Sequence, residues 1–190
     1  MALDQQPQQP QPFYTLELCG LTRRLPIVPV APGLSIASFV ILGDTELVGA
    51  AAKALVAKMP KVDALISAEA KGIPLIHEVS RLLGMNYFVA RKSVKPYMKS
   101  PLTDEVVSIT TQKKQVLCLD GQDALLIAGK RVAIIDDVIS TGESISAVER
   151  LVVKAGGIVA ARAAILAEGE AAERPDIIFL AELPLFRDKR

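Results

Sequence analysis

The sequence holds no tryptophan, a single histidine (His77), two cysteines and only 4% aromatic residues among its 190 positions. Each shortage removes a class of function. Cys19 and Cys118 stand far apart without Cys-x-x-Cys spacing, and His77 has no histidine partner, so structural zinc and a disulfide framework are excluded. Few rings leave little for a single-strand nucleic-acid platform, which works by stacking bases. Net charge is scarce as well: 22 Lys and Arg against 21 Asp and Glu give +1, so nothing global attracts a polyanion and any basic site has to be local. No run approaches the roughly 20 apolar residues that span a bilayer, and no basic segment leads into an apolar one at the start. The expectation is a soluble, cytoplasmic protein with neither a nucleic acid nor a membrane as partner.

What is present is a core. With 51% hydrophobic and 23% charged residues the chain has the apolar surface for one domain. Residues 1–12, MALDQQPQQPQP, form a Gln/Pro tract with nothing to bury, expected to be a disordered tail before a single domain at 13–190. Residues 13–35 mix short apolar runs with prolines and read as an N-terminal arm or edge strands. Asp44 then opens a helical pattern in which Leu47, Val48, Ala51, Leu55 and Val56 share a face.

Alternation follows. An apolar run at 62–68, a helical pattern at 74–83 closed by Gly84, and a second run at 87–90 predict a βαβ unit. Residues 91–105 carry four basic residues and two prolines without periodicity and read as a long loop. Runs at 106–111 and 116–119 predict a hairpin, so that 92–119 is flexible loop plus hairpin. A strand at 131–135, a helix at 143–155 ended by Gly156 and Gly157, and strands at 158–167 and 177–183 complete an α/β fold. Its central sheet is predicted to be mostly parallel and flanked by helices. No 20–50-residue period repeats, and no Gly-x-x-x-x-Gly-Lys-Ser/Thr occurs, which removes solenoids and P-loop kinases.

The strongest local pattern is VAIIDDVISTGES at 132–144. An apolar strand brings Asp136 and Asp137 to the carboxyl edge of a parallel sheet, where ligands bind in open α/β folds. A short turn through Ser140, Thr141 and Gly142 then enters a helix whose first amides can hold a phosphate, with Ser140, Thr141 and Ser144 hydroxyls as further donors. Carboxylates beside a phosphate cradle suit a sugar phosphate: the acids take ribose hydroxyls, directly or through Mg²⁺, and the cradle takes the 5′-phosphate. Each half alone more often ends a strand or caps a helix. Their order and adjacency favour a site. Upstream, SAEAKG at 67–72 joins a strand to a helix, where amides and Lys71 can receive a pyrophosphate. His77 reads as a helix-surface or packing residue, and both cysteines as small apolar ones.

DDVISTGES at 136–144 resembles the phosphoribosyl-pyrophosphate (PRPP) motif of type I phosphoribosyltransferases, and residues 123–132 are similar to its approach in adenine phosphoribosyltransferases. The resemblance covers roughly residues 36–183 and implies that family's fold, with a small hood and a flexible loop. It implies that Asp136 and Asp137 bind ribose hydroxyls. Ser140, Thr141, Gly142, Glu143 and Ser144 would then bind the 5′-phosphate, although Glu143 departs from the glycine or small residue common there. Glu69, Ala70, Lys71 and Gly72 would form the pyrophosphate loop. Arg91, Lys92 and Lys95 would contact PRPP or pyrophosphate, and Glu105 would assist proton transfer at the base. Enzymes for 6-oxopurines commonly place a lysine where this chain has Gly169, which favours adenine. The implied activity is purine salvage: 5-phosphoribosyl transfer from PRPP to a purine by a homodimer, with Mg²⁺ and no metal held firmly by side chains. Alternatives are a xanthine or hypoxanthine-guanine enzyme and a non-catalytic PRPP-sensing regulator.

Overall fold

A computed structural model describes residues 12–106 and 115–187, the side chains of Val106 and Gln115 excepted. Residues 1–11, 107–114 and 188–190 lie outside the described residues, and with them most of the expected tail and of the expected run at 106–111.

Residues 13–37 form a meander, the edge-strand alternative of the two readings for 13–35. Strands β1 (Phe13–Leu18), β2 (Leu21–Ala31) and β3 (Leu34–Ala37) pair antiparallel. Pro12 already joins it, its carbonyl accepting from Ile27 N–H at 2.9 Å. Cys19 and Gly20 link β1 to β2 as a two-residue turn with φ of 53° and 77°, the left-handed pair that matches strand twist. Cys19 is therefore exposed, whereas Cys118 is buried.

Asp44 caps α1 (Thr45–Lys58) by accepting from Leu47 N–H at 3.1 Å. Arg23 of β2 bonds Asp44 at 2.6 Å and Glu46 at 2.8 Å, tying the meander to that helix end. Next come β4 (Ala64–Ala68), α2 (Ile73–Leu83) and β5 (Tyr87–Ala90), with Gly84 closing α2 at φ 65°. A two-stranded antiparallel ribbon follows, β6 (Leu102–Val106) and β7 (Gln115–Leu119). The hairpin expected from 106 thus begins at 102, and the loop ends at Pro101. A polar Thr-Asp-Glu run is viable in a strand here because Asp104, 8% exposed, bonds Arg150 at 2.9 Å and Lys154 at 2.7 Å.

The rest comprises a short helix that periodicity had not revealed, α3 (Gly121–Ile127), then β8 (Arg131–Ile139), α4 (Glu143–Lys154), β9 (Ile158–Glu168), β10 (Ile177–Leu183) and β11 (Leu185–Arg187). Five strands form an all-parallel sheet in the order β10-β9-β8-β4-β5, while β11 leaves it to pair antiparallel with β3. The run at 177–183 thus closes the central sheet, and its continuation returns to the meander.

Burial on both faces explains the near-continuous apolar strands. Leu65, Ala133, Ile135 and Ile165 face α1, α2 and the meander; Ala64, Ile66, Val132 and Ile134 face α4, α3 and the ribbon. β4 and β8 are neighbours, yet β4 leads through α2 to β5 at one edge and β8 leads through α4 to β9 on the other side. Their carboxyl ends mark the switch point, the place where an open α/β sheet leaves a crevice.

Candidate active site

Both motifs picked out in the sequence arrive at that crevice. A cavity of about 510 Å³ is lined by Glu69, Ala70 and Lys71 from one loop, by Asp136 and Asp137 from β8, and by the turn from Ser140 to Ser144; Lys92 closes one side. β8 extends four residues beyond the expected 131–135, so both aspartates stand inside a strand, with Asp136 beside Ala164 of β9.

The carboxylates occupy different surroundings. Asp137 is 2% exposed and meets Lys71 Nζ at 2.9 Å. The pair lacks hydrogen-bond geometry, since Asp137 Oδ2 counts no hydrogen-bond partner. Lys71 is half exposed. Asp136 accepts from the Asp137 N–H at 2.9 Å. Burial, followed by the adjacent Asp137, pushes the Asp136 carboxyl up to about 8, and Lys71 offsets this only in part. Gly72 lies directly beneath: a Cβ there would collide with Ser67 Oγ and come within 3.0 Å of Asp136 Oδ1. Only glycine lets the loop pass this close to the strand.

The cradle is backbone-built. Gly142 caps α4 with φ 81°, a conformation other residues adopt at a cost, and no side chain caps that end. The first amides of α4 therefore point at the cavity unspent. Glu143 lines the cavity at this first turn.

The basic loop behaves differently. Glu69 accepts from Lys92 N–H at 2.9 Å and pairs with Arg91 Nε at 3.4 Å. The Lys92 amide and, more weakly, the Arg91 guanidinium hold the Glu69 carboxyl below its ordinary value against the effect of burial. Arg91 also donates to Tyr97 Oη at 3.2 Å, and Lys95 Nζ to Ser93 Oγ at 2.7 Å. Neither Arg91 nor Lys95 lines the cavity. Glu105 does not line it either: it lies on β6, where the Asp104 side chain turns to α4 and the Glu105 carbonyl accepts from Arg150 at 3.2 Å. Gly169 sits outside the cavity with φ 58°, its missing Cβ space 3.0 Å from Leu185 of β11. His77 is on the surface of α2, edge-on to Tyr87.

Sequence reading passed over Arg174, whose guanidinium abuts Gly142. It lies in no recognisable motif, so nothing local pointed to it. Among the described residues no group of three or more His, Cys, Asp and Glu could hold a metal, and no helix is long and apolar enough to cross a membrane.

A crevice at the switch point of a five-stranded parallel sheet, with an open helix end facing paired carboxylates, defines an α/β ligand-binding protein. The chain belongs to the phosphoribosyltransferase family, matching the phosphoribosyl transferase domain over residues 44–182. It is 30% identical to a hypoxanthine/guanine phosphoribosyltransferase of Methanococcus vannielii over 82% of this chain and 80% of that one. It is 31% identical to an adenine phosphoribosyltransferase of a Mycobacterium species (strain KMS), over 78% and 83%. Its fold is that of the Thermoanaerobacter pseudethanolicus adenine phosphoribosyltransferase, with TM-score 0.69, 24% identity, and 83% and 95% coverage. A Trypanosoma brucei adenine phosphoribosyltransferase in complex with AMP, pyrophosphate and ribose-5-phosphate superposes with TM-score 0.63 at 16% identity, over 75% and 67%.

Proposed function

We propose that the protein transfers the 5-phosphoribosyl group of PRPP to a purine, with adenine as the preferred base, releasing pyrophosphate. One observation carries this: paired carboxylates and an uncapped helix end line one cavity, with Lys71 of the 69–72 loop against Asp137. Asp136 and Asp137 would take the ribose hydroxyls, the turn at 140–144 the 5′-phosphate, and the amides and ammonium of 69–72 the pyrophosphate. Lys71 would leave Asp137 for the departing pyrophosphate and neutralise charge as the bond to C1′ breaks. The chain's groups thus bind, orient and balance charge; no nucleophile is required.

Two carboxylates, one of them engaged by Lys71, suit a Mg²⁺ that arrives on the substrate's phosphates better than one caged by protein. That ion would supply Lewis-acid polarisation of the diphosphate. The adenine preference rests on the resemblance, in which 6-oxopurine enzymes commonly carry a lysine where this chain has Gly169; Gly169 itself stands beside Leu185, outside the cavity described above. The relative from M. vannielii, with its hypoxanthine/guanine name, favours the second reading, a 6-oxopurine enzyme. Incubating the full chain with PRPP, Mg²⁺ and each of adenine, hypoxanthine, guanine and xanthine tests both. AMP formation is expected to dominate, IMP or GMP formation would install the second reading, and no turnover with any base would reject the enzyme. The same reading takes the protein as a homodimer, which sedimentation velocity checks.

A further inference from the structure

Residues 140–144 carry one ionisable side chain, Glu143, and its sign is wrong for a phosphate. The helix end alone supplies a partial positive charge. A full cation lies against it from elsewhere in the chain: a Cβ built on Gly142 would stand 3.0 Å from Arg174 Nη1. The Arg174 guanidinium thus rests on the cradle's own backbone, in space that the absent side chain vacates.

Its orientation is enforced. Arg174 Nε and Nη2 donate to the two oxygens of Asp176 at 3.0 and 2.7 Å, a fork that turns the remaining nitrogen toward Gly142. Asp176 also meets Arg162 Nη1 at 3.5 Å, and Arg162 donates through Nε at 3.0 Å to Glu149, in the second turn of α4. Alternating charges therefore run from α4 across β9 and back to the start of α4. The two guanidiniums and two carboxylates balance, and the terminal Arg174 keeps one nitrogen, Nη1, against the cradle. Lys71 and Lys92 line the cavity itself, from the loops at 69–72 and 91–92, whereas Arg174 stands against Gly142 behind that lining.

We infer that Arg174 is a positioning residue for the phosphate held by 140–144, offsetting Glu143 and setting the affinity of that subsite without taking part in bond cleavage. The inference rests on the reading of the cavity as a PRPP site. It separates two anions that a phosphoribosyltransferase has to hold: ribose 5-phosphate, which the cradle would take, and pyrophosphate, which the other loop would take.

The test compares wild type, Arg174→Gln and Arg174→Lys by steady-state kinetics with PRPP and by calorimetric binding of ribose 5-phosphate and of pyrophosphate. Arg174→Gln is expected to raise the KM for PRPP and the Kd for ribose 5-phosphate about five- to tenfold, as for a charge-assisted contact at a half-exposed site. Its kcat and pyrophosphate Kd should stay within about twofold, and Arg174→Lys should recover part of the loss. Unchanged ribose 5-phosphate binding in Arg174→Gln would overturn the inference alone. Equal weakening of both anions would also overturn it, marking Arg174 as merely structural. A wild type that binds neither PRPP nor ribose 5-phosphate would overturn the reading of the cavity and the inference together.

Discussion

The turn at 140–144 lines the crevice and the loop at 91–101 reaches it through Lys92, and the two prepare for anions in opposite ways. The turn does so with backbone: a left-handed glycine, free first-turn amides and no side-chain cap. The loop carries formal cations, yet Arg91 is paired with Glu69 and Lys95 bonds Ser93, and of these three basic side chains Lys92 alone lines the cavity. Backbone dipoles that point into a cavity remain available without rearrangement, whereas a side-chain cation paired to its own carboxylate has to exchange partners first. The comparison predicts that binding strength resides in the turn and in β8, and that the loop contributes after the ligand has arrived.

The largest effect should come from Asp137→Asn. It removes the partner of Lys71 and a carboxylate at the ribose, and kcat/KM with PRPP is expected to fall about a hundredfold or more, the scale of losing a preorganised charge. A fall under threefold would leave β8 with no special role. Gly142→Ala comes next. Its left-handed backbone should cost about 1–2 kcal/mol in urea denaturation, and crowding of Arg174 should raise the KM for PRPP.

Asp104→Asn tests the loop side through its anchor. Burial alone would raise the Asp104 carboxyl, but the Lys154 and Arg150 bonds outweigh it and hold the group below its ordinary value of 3.8. A depressed carboxylate contributes stability that is present above 3.8 and lost as pH falls through its folded value. The variant should therefore lose about 1 kcal/mol at pH 7, less than for a fully buried pair because both cations are half exposed. Its unfolding free energy should also fall less steeply below pH 4 than that of wild type. Parallel acid limbs for the two proteins would contradict the assignment. Smallest is Lys95→Ala, with a change in KM for PRPP below about threefold; a loss to match Asp137→Asn would reverse the comparison.

Legibility in the sequence followed the same division. The 132–144 segment could be read because strand, carboxylates, turn glycine and helix are contiguous, so local patterns fixed their relative placement. Gly72 belonged to a readable motif, although its reason, the proximity of Ser67 and Asp136, needed two strands side by side. The ribbon was misplaced by four residues because Thr103, Asp104 and Glu105 look like loop until Arg150 and Lys154, 46 and 50 residues later in the chain, neutralise Asp104. Arg174 had no local signal, since its relation to Gly142 exists only once β9 has carried the chain back beside β8. The seven-residue α3 is too short for a periodic pattern to stand out.

The strand β11 joins β3 in the first sheet, with Leu185 opposite Ile36 and Arg187 opposite Leu34. A ribosome therefore releases the meander long before its fourth strand exists. Until residue 187 has emerged, β3 presents an open edge able to pair with another nascent chain. Arg23 binding to Asp44 and Glu46 is available much earlier, and it secures the early strands to α1 during that interval.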